Sequence, residues 1–230
     1  MNVETPLIFS ILTTHLNQAS FLREAIGSAL SQEGPFYIDF ILVDAGSTDG
    51  SQETLRRTEQ EIEATCATIE HRGQLFYSPR EDRSRDGEIK IRCHGVRFRH
   101  VTVEGIGRAA GLNHALRLSN GDIITCLDGD DIFADFSSLA KVAAYFAAHP
   151  DASFLYGNRK RIDFHGVTLL EREGIEGLTA EDLRDVGFIM QQGAFWRRIV
   201  HQVVGDFNES YHHVYFWDFC LRCAGHYDLH

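Results

Sequence analysis

Short apolar runs alternate with segments of helical periodicity along the first two thirds of the chain. The runs at 7–13 and 40–43 consist of strand-forming residues and predict strands that are buried on both faces. Between them, apolar residues recur at helical spacing and predict a helix over 21–30, with Ser20 able to cap its start. This order of strand, helix and strand predicts a parallel crossover unit.

The same rhythm continues further along the chain. Helices are predicted after Gly50, from Arg108 to Leu118 and over 137–148, and another buried strand is predicted over 123–127. Alternation of this kind is typical of an α/β fold, in which a mostly parallel sheet carries helices on both faces.

Two regions depart from this alternation. The stretch from His71 to His100 contains a charged segment at 78–90, and we expect an exposed, mobile loop there that orders over a bound ligand. In the C-terminal half, extended pieces at 153–156 and 161–164 turn at His165-Gly166. They predict a small mixed region laid over the sheet and not a separate domain.

Composition narrows the class of partner. The 230 residues are 43% hydrophobic, which fits one globular domain. The net charge of -11 argues against a nucleic acid or an anionic membrane as the main partner, and the basic cluster at 159–161 is more typical of a solvated turn.

Targeting and redox signals are weak. No apolar run approaches the ~20 residues needed to cross a bilayer, so we expect no transmembrane segment and a cytoplasmic location, with peripheral membrane association left open.

The five cysteines are scattered, and the Cys220-x-x-Cys223 pair is more typical of buried helical thiols than of a metal or redox site.

Carboxylates cluster directly after the strand predicted at 123–127. Asp128, Asp130 and Asp131 repel one another, and Mg²⁺ or Mn²⁺ could compensate them, with phosphate oxygens completing the metal shell. A strand-to-helix turn, with one Asp as a cap and Gly129 supplying a permissive backbone, explains these residues equally well. The cluster alone leaves both interpretations open.

A second acidic position lies where the strand at 40–43 ends. Asp44 is followed by a Gly/Ser/Thr turn that opens the next helix, and ligands of open parallel sheets bind beyond the carboxyl ends of the strands. Its carboxylate could accept hydrogen bonds from a base or ribose, or it could merely hold the turn.

Taken together, these segments resemble family 2 glycosyltransferases of the GT-A fold. The matching segments, in the family's order and spacing, are Phe9–Asn17, Ala25–Gln32, Val43–Gly50, Asn113 and Gly121–Asp131, with looser matches at Gln191–Arg198, Gly205–Glu209 and Phe216–Arg222. The resemblance covers most of residues 7–224. It implies a single GT-A domain, with a nucleotide-sugar-binding half at 1–131 and an acceptor-side half at 132–230.

The resemblance implies a metal-dependent, inverting transfer of a sugar from a nucleotide-diphosphate sugar, with UDP the commonest nucleotide, to an acceptor hydroxyl on a saccharide or glycoconjugate. It assigns Mn²⁺ or Mg²⁺ to Asp130 and the role of catalytic base to Asp218. The residues it places at the donor are Thr13, Asn17, Asp44, Ser47, Arg108, Asn113, Asp128, Gly129 and Asp130. On the acceptor side it places Gln192 and Trp217.

Several of these assignments have structural alternatives. Asp218 could instead be a helix cap or the ion-pair partner of Arg222. Arg108 and Asn113 could lie on a solvated helix face. Trp217, like Trp196, could belong to the core.

The sequence also departs from the family. Ala45 stands where relatives often have a second acidic residue, so Asp44 would be the only carboxylate there to recognise the nucleotide base of the donor. Relatives commonly continue beyond the equivalent of residue 230. A further metal ligand could therefore lie outside this sequence or be supplied by His226 or His230.

Two other classes share the predicted sheet. A dinucleotide-dependent oxidoreductase should show a GxGxxG motif after the first strand, and Thr13–Asn17 contains none. A non-catalytic nucleotide-sugar-binding protein on the same fold is the remaining alternative, and donor hydrolysis without acceptor would distinguish it.

Overall fold

Four parallel strands form the centre of the main sheet. The computed structural model describes residues 5–80, 88–175, 177–185 and 189–230. In these ranges the strands are β1 (Ile8–His15), β2 (Glu33–Asp44), β3 (Cys66–His71), β4 (Gln74–Pro79), β5 (Arg92–Thr102), β6 (Ile123–Cys126), β7 (Phe154–Tyr156), β8 (Arg159–Ile162), β9 (Thr168–Arg172) and β10 (Ala194–Arg197). The helices are α1 (Ala19–Leu30), α2 (Ser51–Thr65), α3 (Arg108–Leu118), α4 (Ser138–Ala148), α5 (Ala180–Asp185), α6 (Ile199–Val204) and α7 (Tyr215–Ala224).

The main sheet has eight strands in the order β3-β4-β5-β2-β1-β6-β10-β7. Strands β5, β2, β1 and β6 run parallel, and both edges of the sheet are antiparallel. Strands β8 and β9 form a separate two-stranded sheet. The predicted α/β fold with a mostly parallel sheet is confirmed.

Alternation of side chains along the central strands fills both faces of the sheet. On β1 and β2, Phe9, Ile11 and Phe40 pack with α1, α2 and α4 on one face. Leu12 and Ile41 pack with α3 and α7 on the other face. Strands that are buried on both faces consist of continuous apolar runs, which is why those runs predicted them correctly.

The stretch between His71 and His100 is more ordered than the sequence suggested. It contains all of β4 and most of β5, and Phe76 is fully buried. The expected loop at 78–90 is therefore wrong at residues 78 and 79, which belong to β4, whereas residues 88–90 lie between strands. Residues 81–87 of the charged segment lie outside the described residues. The apolar run Leu75–Tyr77 in β4 and the alternation of Val96 and Phe98 with arginines in β5 are the signal that the high local charge obscured.

Helix α1 begins without the predicted cap. Ser20 lies inside the helix, and the residue at the N-cap position is Gln18, whose side chain makes no capping hydrogen bond. Instead, the Ala19 amide donates to Asp49 Oδ2 at 2.8 Å. A residue from the following turn satisfies the helix end, which local sequence patterns cannot reveal.

The C-terminal half is partly integrated into the main sheet. Strand β7 joins it as an edge strand beside β10, whereas the β8–β9 hairpin turns at the predicted position, with Gly166 at φ 78° and its amide bonded to Asp163 O at 3.0 Å. Across the described residues, every helix is too short or too polar to cross a lipid bilayer.

Candidate active site

A cavity of about 440 Å³ opens at the carboxyl ends of the central strands. Strand β1 and the turn after it line one side, and the carboxylate cluster after β6 lines the other. The polar lining residues are Thr14, His15, Gln18, Arg108, Asp128, Asp130, Asp131 and Gln192. The structure thus brings together polar residues that are far apart along the chain, at the position where open parallel sheets bind ligands.

Arg108 and Asp128 form an ion pair inside this cavity. Asp128 is buried, and its carboxylate contacts the guanidinium of Arg108, the first residue of α3. The side-chain amides of Gln191 and Gln192 donate to its two oxygens at 3.3 and 3.4 Å. The protein itself compensates the charge of Asp128, so this carboxylate does not require a metal for its stability.

Asp130 and Asp131 have different surroundings. Asp130 is exposed and forms no ion pair with any described residue. Asp131 is partly buried, and this burial raises the pKa of its carboxyl, with the neighbouring charge of Asp130 acting in the same direction. The Gln192 amide opposes the shift. Of the three carboxylates, Asp130 is therefore the one best placed to accept a cation.

The donor set fits a hard divalent ion without forming a complete cage for it. Within the described ranges, no three acidic, histidine or cysteine side chains converge on one point. Mg²⁺ and Mn²⁺ are often held by only one or two carboxylates together with substrate phosphates. An exposed Asp130 carboxylate in an oxygen-lined cavity matches that pattern.

His15 packs against the backbone of Gly129. A Cβ at residue 129 would approach His15 Nδ1 to 2.5 Å and Gln18 Oε1 to 2.9 Å, so only glycine fits there without rearrangement. The imidazole is 3% exposed, and the Gln18 side chain approaches it without completing a well-formed hydrogen bond. Burial lowers the pKa of His15, while Asp44, Asp49 and Asp130 oppose the shift.

Asp44 holds the turn that follows β2. It is fully buried and accepts hydrogen bonds from the Ser47 amide at 3.1 and 3.2 Å, from the Ser47 hydroxyl and from the Gln52 side chain. Asn17 braces the same turn, since its amide donates to Ser47 Oγ and its side-chain oxygen accepts from the Thr48 amide, both at 2.8 Å. These hydrogen bonds fix the conformation of the turn, whose Ala45 lines the cavity.

Other sequence-predicted donor residues lie outside the cavity lining. Thr13 points into the protein, where its buried hydroxyl has no partner among the described residues, and Thr14 lines the cavity instead. Asn113 is buried, contrary to a solvated helix face. Its side chain donates to Phe207 O and Glu209 Oε1, both at 2.9 Å, and thereby fixes the loop before α7.

The two tryptophans are structural in this arrangement. Trp217 donates its indole N–H to Leu183 O at 2.5 Å and so ties α7 to α5. Trp196 is fully buried among aromatic rings. Neither lines the cavity, whereas Gln192 does.

Asp218 lies in the first turn of α7 and forms the ion pair that its spacing allowed. Arg222 contacts Asp218 Oδ2 through both Nε and Nη2 at 2.9 Å. The other carboxylate oxygen, Oδ1, receives no hydrogen bond from the described residues. Asp218 is not among the residues that line the cavity.

The thiols of the C-x-x-C pair on α7 lie inside the core. Cys220 and Cys223 are both buried and unpaired, and burial raises the pKa of each, for Cys223 to about 12. The interpretation as buried helical thiols is confirmed for this structure.

Sequence reasoning missed a polar chain that reaches the cavity from α7. Tyr215 donates its hydroxyl to Gln191 Oε1 at 2.5 Å, and Gln191 in turn donates to Asp128. Burial raises the pKa of Tyr215 to about 12, which keeps it a donor. His15 was also missed, although its place at the carboxyl end of a buried strand was the available signal.

The fold and its cavity were compared with those of known proteins. The fold is that of the GT-A glycosyltransferases. It matches mannosyltransferase PcManGT from Pyrobaculum calidifontis, solved in complex with GDP-Man and Mn²⁺, with a TM-score of 0.62 and 17% identity over 99% of this chain. It also matches S. aureus TarS 1-349 in complex with UDP-GlcNAc, with a TM-score of 0.66 and 15% identity over 97% of this chain. The chain spans 55% and 56% of those two structures.

The chain belongs to glycosyl transferase family 2, whose model matches residues 81–198, just over half of its length. A PGL/p-HBAD biosynthesis glycosyltransferase from Mycobacterium bovis is 28% identical over 220 residues, which are 94% of this chain and 69% of that protein. The uncharacterized glycosyltransferase YwdF from Bacillus subtilis is 28% identical over 126 residues, which are 53% of this chain and 46% of that protein.

Proposed function

We propose that this domain binds a nucleoside diphosphate sugar, with UDP as the nucleotide, and transfers the sugar to an acceptor hydroxyl with inversion at the anomeric carbon. One observation carries the proposal. A single cavity combines an exposed carboxylate at Asp130 with a guanidinium at Arg108, at the carboxyl ends of parallel strands. A metal ion held by the carboxylate and the guanidinium itself are both suited to a diphosphate.

Asp130 would hold a Mn²⁺ or Mg²⁺ ion, with phosphate oxygens of the donor completing its coordination. When bound, such an ion supplies Lewis-acid stabilisation of the departing diphosphate. The complex of the structural relative PcManGT with GDP-Man and Mn²⁺ supports this assignment.

The other cavity residues orient the donor. Arg108 is held by Asp128 at the start of α3, and it can turn from that carboxylate toward a phosphate. Gln192 is close enough to Asp128 to donate to it and lines the same cavity, so its amide can hydrogen-bond a sugar hydroxyl. Asp44 and Asn17 act on the donor through the turn that they shape.

Asp218 is the proposed base for the acceptor hydroxyl. Its Oδ1 is free of hydrogen bonds from described residues, and Arg222 holds the other oxygen, which orients the carboxylate. A single displacement needs one base and no covalent intermediate. Asp131 is the next candidate, because it lines the cavity and its pKa is raised toward the range useful for proton transfer.

A saccharide or glycoconjugate is the proposed acceptor class. The mycobacterial relative is named for PGL/p-HBAD biosynthesis, which supports a role in building glycoconjugates or polysaccharides. A cytoplasmic site of action stays a prediction.

The decisive test is calorimetric titration of UDP into the wild-type domain with Mn²⁺ and with a chelator. We expect binding to depend on the metal and Asp130→Asn to weaken it at least about tenfold. Asp151→Asn, an exposed carboxylate outside the cavity lining, is the matched control and should bind as the wild type does. Equal affinity with and without metal, for wild type and Asp130→Asn alike, would overturn the metal assignment.

A further inference from the structure

The β8–β9 hairpin projects from the main body of the domain. Its two strands pair only with each other among the described strands, and every residue of β9 is exposed. An isolated two-stranded hairpin is only marginally stable in water, so an exposed hairpin of this kind commonly binds a partner.

Large apolar side chains are concentrated at its tip. Phe164 is 79% exposed and Val167 is 58% exposed, and Leu169 beside them is 59% exposed. Soluble proteins seldom expose contiguous apolar side chains without an interaction that covers them.

One face of the hairpin is cationic. Arg159 pairs with Arg172 across the strands, and Arg161 lies two residues from Arg159 and therefore on the same face. Lys160 and Glu171 share the opposite face and form an ion pair at 3.0 Å. Arg161 and Arg172 form no ion pair with any described residue. Like charges directly opposite destabilise a hairpin, and the two arginines without an ion pair leave this face open to an anionic partner.

The hairpin is rooted at the rim of the active-site cavity. The charge of Arg159 acts on Asp131, which lines that cavity. The backbone just before β8 is anchored beside the cavity, where the Gly157 amide donates to Gly193 O at 2.9 Å. A surface touched by this hairpin would therefore lie next to the site of transfer.

We propose that the β8–β9 hairpin docks the domain onto an anionic phospholipid surface, with Phe164 and Val167 entering the interface and the three arginines facing the headgroups. The whole chain has a net charge of -11, which would repel it from such a surface in most orientations. Residues 159–172 carry four Lys or Arg and two Asp or Glu, so this segment is the attractive patch and fixes the orientation.

A second copy of the chain is a poorer occupant for the same face. Two such faces brought together would place three arginines against three arginines, which costs free energy unless anions intervene. An apolar hairpin tip flanked by arginines suits an anionic bilayer. Burial of the apolar side chains and attraction of the arginines to the headgroups both favour binding there.

The test is sedimentation of the domain with vesicles of phosphatidylcholine alone and of phosphatidylcholine with roughly one part in five phosphatidylglycerol. No donor or metal is added, so failure of the proposed transferase chemistry cannot affect the result. We expect binding to the anionic vesicles only, weakened by added salt. Phe164→Ser and the pair Arg161→Glu with Arg172→Glu should each reduce binding by about tenfold or more.

Matched controls carry the same changes elsewhere on the surface. Leu75→Ser removes an apolar residue that is 62% exposed, and Arg56→Glu with Arg57→Glu reverses two exposed charges on α2. Both should bind vesicles as the wild type does. Absence of wild-type binding, or equal binding by the hairpin variants, would overturn the proposal. So would sedimentation equilibrium that shows a dimer which Phe164→Ser converts to a monomer, because the hairpin would then be a self-association surface.

Discussion

Arg108 at the start of α3 holds its guanidinium against the buried carboxylate of Asp128, two residues after the end of β6. This pair neutralises one of three clustered carboxylates before any ligand enters. Asp130 is left exposed and Asp131 partly buried with a raised pKa, so three neighbouring aspartates acquire three different environments.

We expect Arg108→Ala to weaken UDP binding by roughly 10- to 100-fold, because the variant loses a charge-assisted hydrogen bond to the diphosphate. Titration calorimetry measures the loss. Arg117→Ala, which removes the last arginine of the same helix, should change little. Comparable loss from both variants would show that helix stability, and not contact with the donor, explains the effect.

Gly129→Ala should destabilise the domain by about 1–3 kcal/mol, because the new Cβ meets His15 Nδ1 and Gln18 Oε1. Urea unfolding measures the change. Combination with His15→Ala should cost less than the sum of the two single changes, since the clash is then relieved. Gly27→Ala is the control: no atom lies within 4 Å of its added Cβ, and it should be neutral or stabilising. Strict additivity at 129 and 15 would contradict the packing described here.

Asp218→Asn should lower turnover by roughly 10²–10⁴ while UDP binding stays nearly intact, if its carboxylate accepts the acceptor proton. Arg222→Gln breaks the same ion pair but keeps the carboxylate, so it separates catalysis from structure. Binding and single-turnover transfer are measured on both variants. Equal, small losses would assign Asp218 a structural role and make Asp131 the next residue to test. Donor binding without any transfer or donor hydrolysis in the wild type would favour a non-catalytic binding protein.

His201 should make the domain less stable in mild acid. The ring is 7% exposed, stacks on Phe219 and has its pKa lowered to about 4, chiefly by burial. Because the folded-state pKa lies below the unfolded value, its contribution is complete above pH ~6.5 and is lost as pH falls toward the folded pKa. Between about pH 7 and pH 5 this group should cost about 2 kcal/mol.

The check is urea unfolding of wild type and His201→Phe at these two pH values. The variant lacks the titrating group, so its stability should fall less on acidification than that of the wild type. His226→Phe, a change at an exposed histidine, should follow the wild-type pH dependence. Parallel curves for wild type and His201→Phe would contradict the lowered pKa.

Local patterns were sufficient for the elements that build the framework. The bounds of α3 and the burial of Leu55 and Ile62 on α2 agree with the periodicity, because each depends on which residues face a core. The sequence also placed acidic groups at two strand ends, since the carboxyl ends of parallel strands meet at one edge.

Only the tertiary structure decided how those groups are used. Asp128 is paired with Arg108, and Asp44 accepts hydrogen bonds within its own turn, whereas the sequence left open whether either carboxylate was available to a ligand. The three-arginine face of the β8–β9 hairpin depends on cross-strand register, which no local pattern specifies. The sequence alone determined the framework and the types of chemical group available, because these follow from periodicity and residue type. Partners, burial and charge compensation arise only when distant segments meet, and they decide which of those groups remain available to a ligand.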